Sequence, residues 1–297
     1  MTSLDFTLKA PAKLNLWLHI TGVREDGYHL LDSLFVPIDL YDEIKITKSL
    51  GSKDEVLFVT PSGTPLDIKI NTVTKTFELM RELLPEIPYL KIQVTKHIPM
   101  GAGLGGGSSD AATTLNFLQS EYGNAESLKA LPKIAQKIGA DVSFFLKAKP
   151  AHVTGVGEQL MEVNIEQLFF VVCYPELQIS TNQAYGWFDE DCALTRAAAN
   201  VNFNRTTGVL DDSVLTAVQV VKRTHNDLEI PVEARNPQIA MLKKALRQWG
   251  ALTSLMTGSG SSVFGIYQNQ KKAILAYENL KKQFPASHSF FITKTLD

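Results

Sequence analysis

The sequence has little of what marks secreted, membrane-spanning or strongly charged proteins. It contains two cysteines, Cys173 and Cys192, which form neither a disulfide framework nor a metal-binding pattern. The apolar run LFFVVCY is far too short to span a bilayer, and the amino-terminal segment MTSLDFTLKA does not resemble a signal peptide. The formal net charge of -2 gives no bulk field that attracts nucleic acid or an anionic membrane. We therefore expect a cytoplasmic protein without nucleic-acid or membrane partners.

The chain is long enough for two domains. Its 297 residues are 44% hydrophobic and can bury a substantial core. No internal repeat, low-complexity tract or long linker interrupts the sequence. The apolar run that begins at Leu168 predicts a strand early in a second domain. We predict a first domain over residues 1–160 and a second over 161–297, in a monomer or weak homodimer.

Glycine, by contrast, is concentrated in the stretch HIPMGAGLGGGSSDAA, residues 97–112. Glycine loses the most backbone freedom on ordering, so such a run persists where a ligand approaches the backbone or several residues need positive φ. The alternating stretch before it predicts a strand that includes residues 90–94. The stretch after it predicts a helix with Ser108 or Ser109 as its N-cap and Gly123 as its stop. A strand, a glycine-rich loop and a helix N-terminus in this order form a typical anion-binding site.

Several kinds of glycine loop fit this pattern. A Walker A loop is excluded, because no Lys-Ser or Lys-Thr follows the glycines. Gly101, Gly103 and Gly106 match the G-x-G-x-x-G fingerprint of dinucleotide-binding proteins, but no second strand ending in an acidic residue follows at the required distance. A phosphate loop of another kinase type and a flexible turn that caps a helix both remain open on the pattern alone.

The first predicted strand carries a polar face. Within TLKAPAKLNLWLHI, alternate residues are apolar, and Lys13, Asn15, Trp17 and His19 share the opposite face. The pattern alone favours a sheet with one solvent-exposed face, which is common in antiparallel sheets.

Six separated elements resemble one kinase superfamily, named for galactokinase, homoserine kinase, mevalonate kinase and phosphomevalonate kinase. They span Leu8 to Tyr267 in the expected order: APAKLNLWLHI, GYHLLDSLF, PMGAGLGGGSSDAA, GADVSFF, ISTNQAY and LMTGSGSSVFGIY. The doubled glycine before the serines and the Tyr-His pair resemble one branch in particular, the 4-diphosphocytidyl-2-C-methylerythritol kinases of the non-mevalonate isoprenoid pathway. Ser143 replaces the proline that the branch usually carries in the fourth element.

The resemblance implies an α+β, two-domain small-molecule kinase with its active site in the interdomain cleft. Residues 1–160 would bind ATP and 161–297 the substrate. The implied reaction is ATP-dependent phosphorylation of the 2-hydroxyl of 4-diphosphocytidyl-2-C-methyl-D-erythritol, with Mg²⁺ as the expected metal. Two alternatives are another small-molecule kinase of the superfamily, acting on mevalonate or homoserine, and a nucleotide-binding protein without catalysis.

The resemblance also assigns site residues. Lys13 and Asp141 are the implied catalytic pair, although the pattern alone favours Asp141 as a helix N-cap. Tyr28 and Tyr185 would sandwich a cytosine ring whose edge hydrogen-bonds to His29. The ATP-binding set is Pro99, Met100, Gly101, Ala102, Gly103, Leu104, Gly105, Gly106, Gly107, Ser108, Ser109 and Asn71. The substrate-binding set is Asn15, Tyr28, His29, Phe35, Thr181 and Tyr185. The protein ligands of Mg²⁺ are unassigned, and HNDLE, residues 225–229, is expected to start a helix.

Overall fold

The computed structural model describes residues 5–196 and 214–296. The strands are β1 (Asp5–Val23), β2 (His29–Lys48), β3 (Glu55–Val59), β4 (Pro65–Leu66), β5 (Leu90–Thr95), β6 (Ala151–Gly155), β7 (Gln159–Glu162), β8 (Phe169–Tyr174), β9 (His225–Asn226), β10 (Thr253–Met256), β11 (Val263–Tyr267) and β12 (Ser289–Lys294). The helices are α1 (Thr72–Leu83), α2 (Gly106–Tyr122), α3 (Ala125–Ile138), α4 (Val142–Phe145), α5 (Thr181–Arg196), α6 (Ala217–Arg223), α7 (Glu229–Arg235), α8 (Pro237–Gln248) and α9 (Gln270–Gln283). Among these described segments, no helix has the length and apolar character needed to cross a bilayer.

The described chain divides into two compact units that interleave along the sequence. The first unit comprises residues 5–12, Leu40–Pro99 and Gly105–Ala148. The second comprises Lys13–Asp39, Met100–Leu104 and the described residues after 148. Strands β1 and β2 therefore each contribute to both units. The predicted division near residue 160 stays a prediction.

The first unit is a sheet with four helices. Its strands lie in the order β4-β3-β5-β2, and β5 runs parallel to β3 and antiparallel to β2. Ile92 and Val94 of β5 are fully buried and lie opposite Ile46 and Ile44 of β2, which explains the alternation seen in the sequence. Helix α2 packs against α1, α3 and α4. The strand predicted before the glycine loop is confirmed as β5.

The second unit contains an antiparallel sheet in the order β10-β11-β8-β12. Helices α8 and α9 pack against this sheet, and the core between them holds Val171, Cys173, Leu242, Val263 and Leu280. In the same unit, β9 pairs in parallel with β1, with His225 opposite Trp17, and β6 pairs antiparallel with β2. The apolar run around Cys173 is therefore a strand, as predicted, and the α+β fold class is confirmed.

The polar face of β1 differs from the expectation based on pattern alone. Lys13, Asn15 and Trp17 are 4%, 1% and 0% exposed, and His19 is 9% exposed. A solvated sheet face is therefore the wrong interpretation. Buried lysine and asparagine side chains need partners. Those partners identify the candidate site described next.

Candidate active site

The glycine loop after β5 has a left-handed backbone at three alternate positions. Gly101, Gly103 and Gly105 have φ values of 64°, 75° and 73°. Two features exclude a side chain at Gly103. The first is its positive φ, and the second is that an added Cβ would lie 2.3 Å from the carbonyl oxygen of Thr257. Positive φ and close backbone approach, the two reasons inferred for the glycine run, therefore both apply here.

Helix α2 begins earlier than its serines suggest. Gly105 is the N-cap, and the first helical hydrogen bond runs from the amide of Ser109 to the carbonyl of Gly105 at 3.0 Å. Ser108 and Ser109, predicted as caps, lie inside the first turn, because the glycines allow the helix to start at Gly106. The N–H groups of residues 106–108 have no acceptor earlier in the helix. These amides and the positive end of the helix dipole suit a phosphate group.

A buried ion cluster of one lysine and two aspartates lies beneath this helix start. Lys96 Nζ contacts the carboxylate of Asp42 and lies 2.6 Å from Oδ2 of Asp110 on α2. Oδ1 of Asp42 accepts the amide hydrogens of His97 at 2.6 Å and Ile98 at 2.8 Å. The cluster thus ties the end of β5 to the first turns of α2.

The charges in this cluster are unequal, because two carboxylates share one ammonium group. Burial raises the pKa of Asp110, Lys96 lowers it in part, and nearby Asp42 raises it further, to about 7. Burial lowers the pKa of Lys96, but the two aspartates outweigh this effect and raise it. The negative charge of the two aspartates is therefore offset by Lys96 and, near neutral pH, in part by a proton on Asp110.

In the second unit, Lys13 and Asn15 form one hydrogen-bonded group. Lys13 Nζ donates to Asn15 Oδ1 at 2.5 Å and lies 4.7 Å from the centre of the Phe35 ring. The backbone N–H of Asn15 donates to Thr257 Oγ1 at 3.0 Å, and its side-chain Nδ2 donates to Ser33 Oγ at 3.1 Å. The predicted residues Lys13, Asn15 and Phe35 are thus brought together, with a cation held over an aromatic ring.

The second glycine loop, residues 257–262, packs on this group. Gly258 has a φ of 55°, and an added Cβ would lie 3.2 Å from Asn15 Oδ1 and 3.3 Å from Lys13 Nζ. Asn226 holds the loop from the other direction, with Nδ2 donating to the carbonyls of Met256 at 2.8 Å and Gly258 at 2.9 Å. HNDLE therefore contributes β9 and this clamp, and helix α7 starts at its last residue.

An aromatic group in the same unit contains the residues predicted to bind a base. The His29 ring lies 4.6 Å from that of Tyr185 and 6.1 Å from that of Phe188. His29 Nε2 is 2.8 Å from Oδ1 of Asp189. Tyr28 is 65% exposed, so its ring is accessible to a ligand. Thr181, also predicted, lies at the start of α5 with its hydroxyl 3.4 Å from that of Ser259.

Asp141 and Asn71 lie in the first unit, and each precedes a helix. Asp141 occupies the N-cap position of α4 but makes no side-chain capping hydrogen bond. A purely capping role for Asp141, favoured by the pattern alone, is therefore not what its geometry shows. Asn71 does cap α1, with Oδ1 accepting the amide of Thr74 at 2.7 Å. Its role as a nucleotide contact stays a prediction.

Comparisons with known proteins show the family of this chain. The model of the GHMP kinases N terminal domain matches residues 71–149, and that of the GHMP kinases C terminal region matches 219–286. A 4-diphosphocytidyl-2-C-methyl-D-erythritol kinase from Nitratidesulfovibrio vulgaris (strain DP4) is 38% identical over 278 residues, covering 93% of this chain and 94% of that protein. One of the same name from Lawsonia intracellularis (strain PHE/MN1-00) is 34% identical over 293 residues, covering 95% of each. The chain belongs to the GHMP kinase family.

Solved structures of other GHMP kinases share its fold. A crystal structure of 4-(cytidine 5'-diphospho)-2C-methyl-D-erythritol kinase superimposes with a TM-score of 0.74 at 30% identity, covering 98% of this chain and all of that one (100%). Homoserine kinase from Cytophaga hutchinsonii superimposes with a TM-score of 0.72 at 20% identity, covering 100% and 96%, which shows the fold alone. The predicted family and the prediction of a small-molecule kinase are confirmed.

Among the described residues of this GHMP kinase, one group has the side chains of a metal site: His19, His225 and Asp227. The two imidazole rings stack at 4.8 Å with 13° between their planes, so they cannot both direct a lone pair at one ion. Asp227 accepts hydrogen bonds from His225 at 2.6 Å and from the Ile20 amide at 2.7 Å. Burial raises the pKa of Asp227, but these bonds outweigh it and lower the pKa. Two nitrogen donors do not suit Mg²⁺, which prefers oxygen.

Three residues of the site in this GHMP kinase were missed from the sequence. Asp42 and Lys96 meet only through the pairing of β2 with β5. Lys96 lies between an apolar strand and the glycine-rich stretch. A lysine at that position was the signal in the sequence that could have identified it. Asp189 follows the ISTNQAY element on α5. Its position one helical turn after Tyr185 was the signal in the sequence that could have identified it.

Proposed function

We propose that this GHMP kinase transfers the γ-phosphoryl group of ATP to the 2-hydroxyl of 4-diphosphocytidyl-2-C-methyl-D-erythritol. The observation that carries the proposal is the aromatic group around His29 in the second unit. It combines an exposed Tyr28 with His29, which packs on Tyr185 and is hydrogen-bonded by Asp189. Aromatic rings bind any base face, and a directional hydrogen-bonding group selects one base. The names of the similar kinases support the same acceptor.

ATP would bind at the glycine loop, residues 99–109. The backbone amides at the start of α2 would hold its phosphate oxygens. Within the ion cluster beneath them, Lys96 offsets the negative charge of Asp110. Mg²⁺ would neutralise charge on the phosphates when bound, held chiefly by phosphate oxygens and water. Lys96 occupies the carboxylates of Asp42 and Asp110, so these fit poorly as metal ligands. The half-buried hydroxyl of Ser108 fits better.

In the proposed chemistry, Asp141 accepts the proton of the acceptor hydroxyl and orients its oxygen for attack on phosphorus. Lys13 stabilises the negative charge of the transferred phosphoryl group. Its ammonium group is held by Asn15 and by the ring of Phe35, which fixes its position before substrate arrives. Thr181 and Asn15 would contact the substrate.

Two alternatives make different predictions. A mevalonate or homoserine kinase needs no base pocket, so it leaves the aromatic group around His29 unexplained. A nucleotide-binding protein without catalysis leaves the buried Lys13 and the half-buried Asp141 unexplained. For the proposed kinase we expect a protein of the cytoplasm that acts on a small molecule, as a monomer or weak homodimer.

The acceptor decides between these readings. We expect the purified protein, with ATP and Mg²⁺, to release ADP with 4-diphosphocytidyl-2-C-methylerythritol, and not with mevalonate, with homoserine or without acceptor. Release with mevalonate or homoserine alone would contradict the proposed substrate and keep the kinase chemistry. No release with any acceptor, from protein shown to be folded, would favour the binding-only alternative.

A further inference from the structure

We propose that Asp189 is a positioning residue that makes the site select cytosine over uracil by fixing which nitrogen of His29 carries the proton. The inference rests on the proposed function, because it places the base of the acceptor beside His29. Asp189 itself is not part of any motif in the sequence, and its carboxylate reaches His29 across 160 residues of chain.

The His29 ring is fixed on three sides. Oδ1 of Asp189 lies 2.8 Å from Nε2, the Tyr185 ring packs on the imidazole with 34° between the planes, and the edge of Phe188 approaches it at 79°. The His29 side chain is 11% exposed, whereas that of Asp189 is 56% exposed. The ring therefore has little freedom to turn, and its remaining nitrogen, Nδ1, has a defined direction.

The contact determines the tautomer. An ionised carboxylate only accepts hydrogen bonds, so Nε2 of His29 must carry the hydrogen that Asp189 receives. In neutral imidazole one nitrogen donates and the other accepts, so Nδ1 presents a lone pair. Among the residues that the structure describes, Asp189 alone hydrogen-bonds to the His29 ring, so its removal leaves neither tautomer favoured by a partner there.

An acceptor at Nδ1 distinguishes the two pyrimidines. Cytosine carries an amino group at C4 that donates hydrogen bonds, whereas uracil, like thymine, carries a carbonyl oxygen there that only accepts. A lone pair at Nδ1 therefore attracts the cytosine amine and repels the uracil oxygen. Fixing the tautomer therefore contributes to the selectivity for cytosine in two ways, because it favours binding of cytosine and disfavours binding of uracil.

Helix α5 holds Asp189 in place. On the same helix, Glu190 and Asp191 bind the guanidinium of Arg235 on α7, at 2.9 Å and 3.1 Å to Nη2. The Arg235 guanidinium also lies 5.4 Å from the centre of the Trp187 ring. The carboxylate of Asp189 therefore has a fixed support, as a positioning residue needs.

The test compares binding of CDP and UDP by calorimetry in the full-length protein. We expect wild type to bind CDP more tightly than UDP, and Asp189→Ala to lower that preference by roughly tenfold, the size of one directional hydrogen bond. Asp67→Ala is the control, because it removes an exposed carboxylate beside Lys69 in the first unit, and it should keep the wild-type preference. An unchanged preference in Asp189→Ala would overturn the inference while leaving the proposed function standing. Equal binding of CDP and UDP by wild type would overturn the inference, because the site would then not select cytosine, whereas the proposed function is tested by ADP release with each acceptor.

A second readout does not depend on any ligand. Nitrogen-15 NMR of the imidazole groups, with His29→Gln to assign the signal, reports which nitrogen carries the hydrogen. We expect the Nε2–H tautomer alone in wild type and a mixture in Asp189→Ala. A wild-type signal from the Nδ1–H tautomer would overturn the inference even if the kinase activity is as proposed.

Discussion

At the scale of single residues, the candidate site positions predicted from motifs stay predictions, and the structure shows which of them lie together. Lys13, Asn15 and His29 follow from sequence elements, and the structure adds what their side chains contact. Asp189 and Asp42 were not predictable, because neither lies in a motif and both meet their partners only through the fold. Local sequence therefore singles out residues that lie inside motifs, whereas it misses residues that meet their partners only through the fold.

The role proposed for Asp141 as the base predicts the effect of its substitution on turnover. We expect Asp141→Asn to lower turnover at least about a hundredfold, because a positioned base contributes roughly that much or more to proton transfer. ATP affinity should change by no more than a few fold. Turnover and nucleotide binding by calorimetry check this, with Asp67→Asn, an exposed carboxylate beside Lys69, as the control. Near-normal turnover in Asp141→Asn would remove Asp141 from the chemistry.

At the scale of elements, the existence of the strand and helix around the glycine loop was predictable, but the start of α2 was not. Serine is the more common N-cap, so propensity favoured Ser108 or Ser109. The left-handed conformation of Gly105 starts the helix earlier instead. The burial of the polar face of β1 was also unpredictable, because the alternation of a strand does not report what covers each side.

The ion cluster under α2 predicts a pH-dependent difference in stability. Burial raises the pKa of Asp110 in the folded protein to about 7, above its ordinary value. A raised pKa contributes stability that is complete below the unfolded pKa and is lost as pH rises through the folded value. The free energy of unfolding of wild type should therefore fall relative to Asp110→Asn between about pH 4 and pH 7, and the difference should level off above this range.

Urea unfolding of both proteins at several pH values from 4 to 8.5 measures this trend. Asp67→Asn, at an exposed site, should show no such change relative to wild type over the same range. A wild-type stability that rises relative to Asp110→Asn as pH increases would mean that Asp110 is held ionised by Lys96, with the sign of the linkage reversed.

At the scale of the whole molecule, the α+β class and the family were predictable, because several motifs occur in a fixed order. The interleaving of the two units was not, because no local pattern indicates that β1 and β2 each serve both. The predicted boundary near residue 160 assumes contiguous domains. The second unit, however, includes Lys13–Asp39, which supplies the strands that pair with β9 and β6.

A fragment experiment tests this boundary. We expect residues 161–297 produced alone to lack a cooperative unfolding transition, because unpaired backbone and apolar surface would be left where β1 and β2 belong. Mixing this fragment with residues 1–160 during refolding should restore the transition, followed by circular dichroism. Cooperative unfolding of the isolated 161–297 fragment would instead support two contiguous domains.

Because the second unit takes strands from both ends of the sequence, synthesis on the ribosome imposes an order on its assembly. The segments of the first unit have all been made once the chain reaches Ala148. Lys13–Asp39, in contrast, is among the first parts to emerge and must wait for partners such as β9 and β6. During that interval the apolar residues of this segment lack their native partners and are exposed to solvent. We therefore expect the nascent chain to bind chaperones most while its carboxyl-terminal half is being translated.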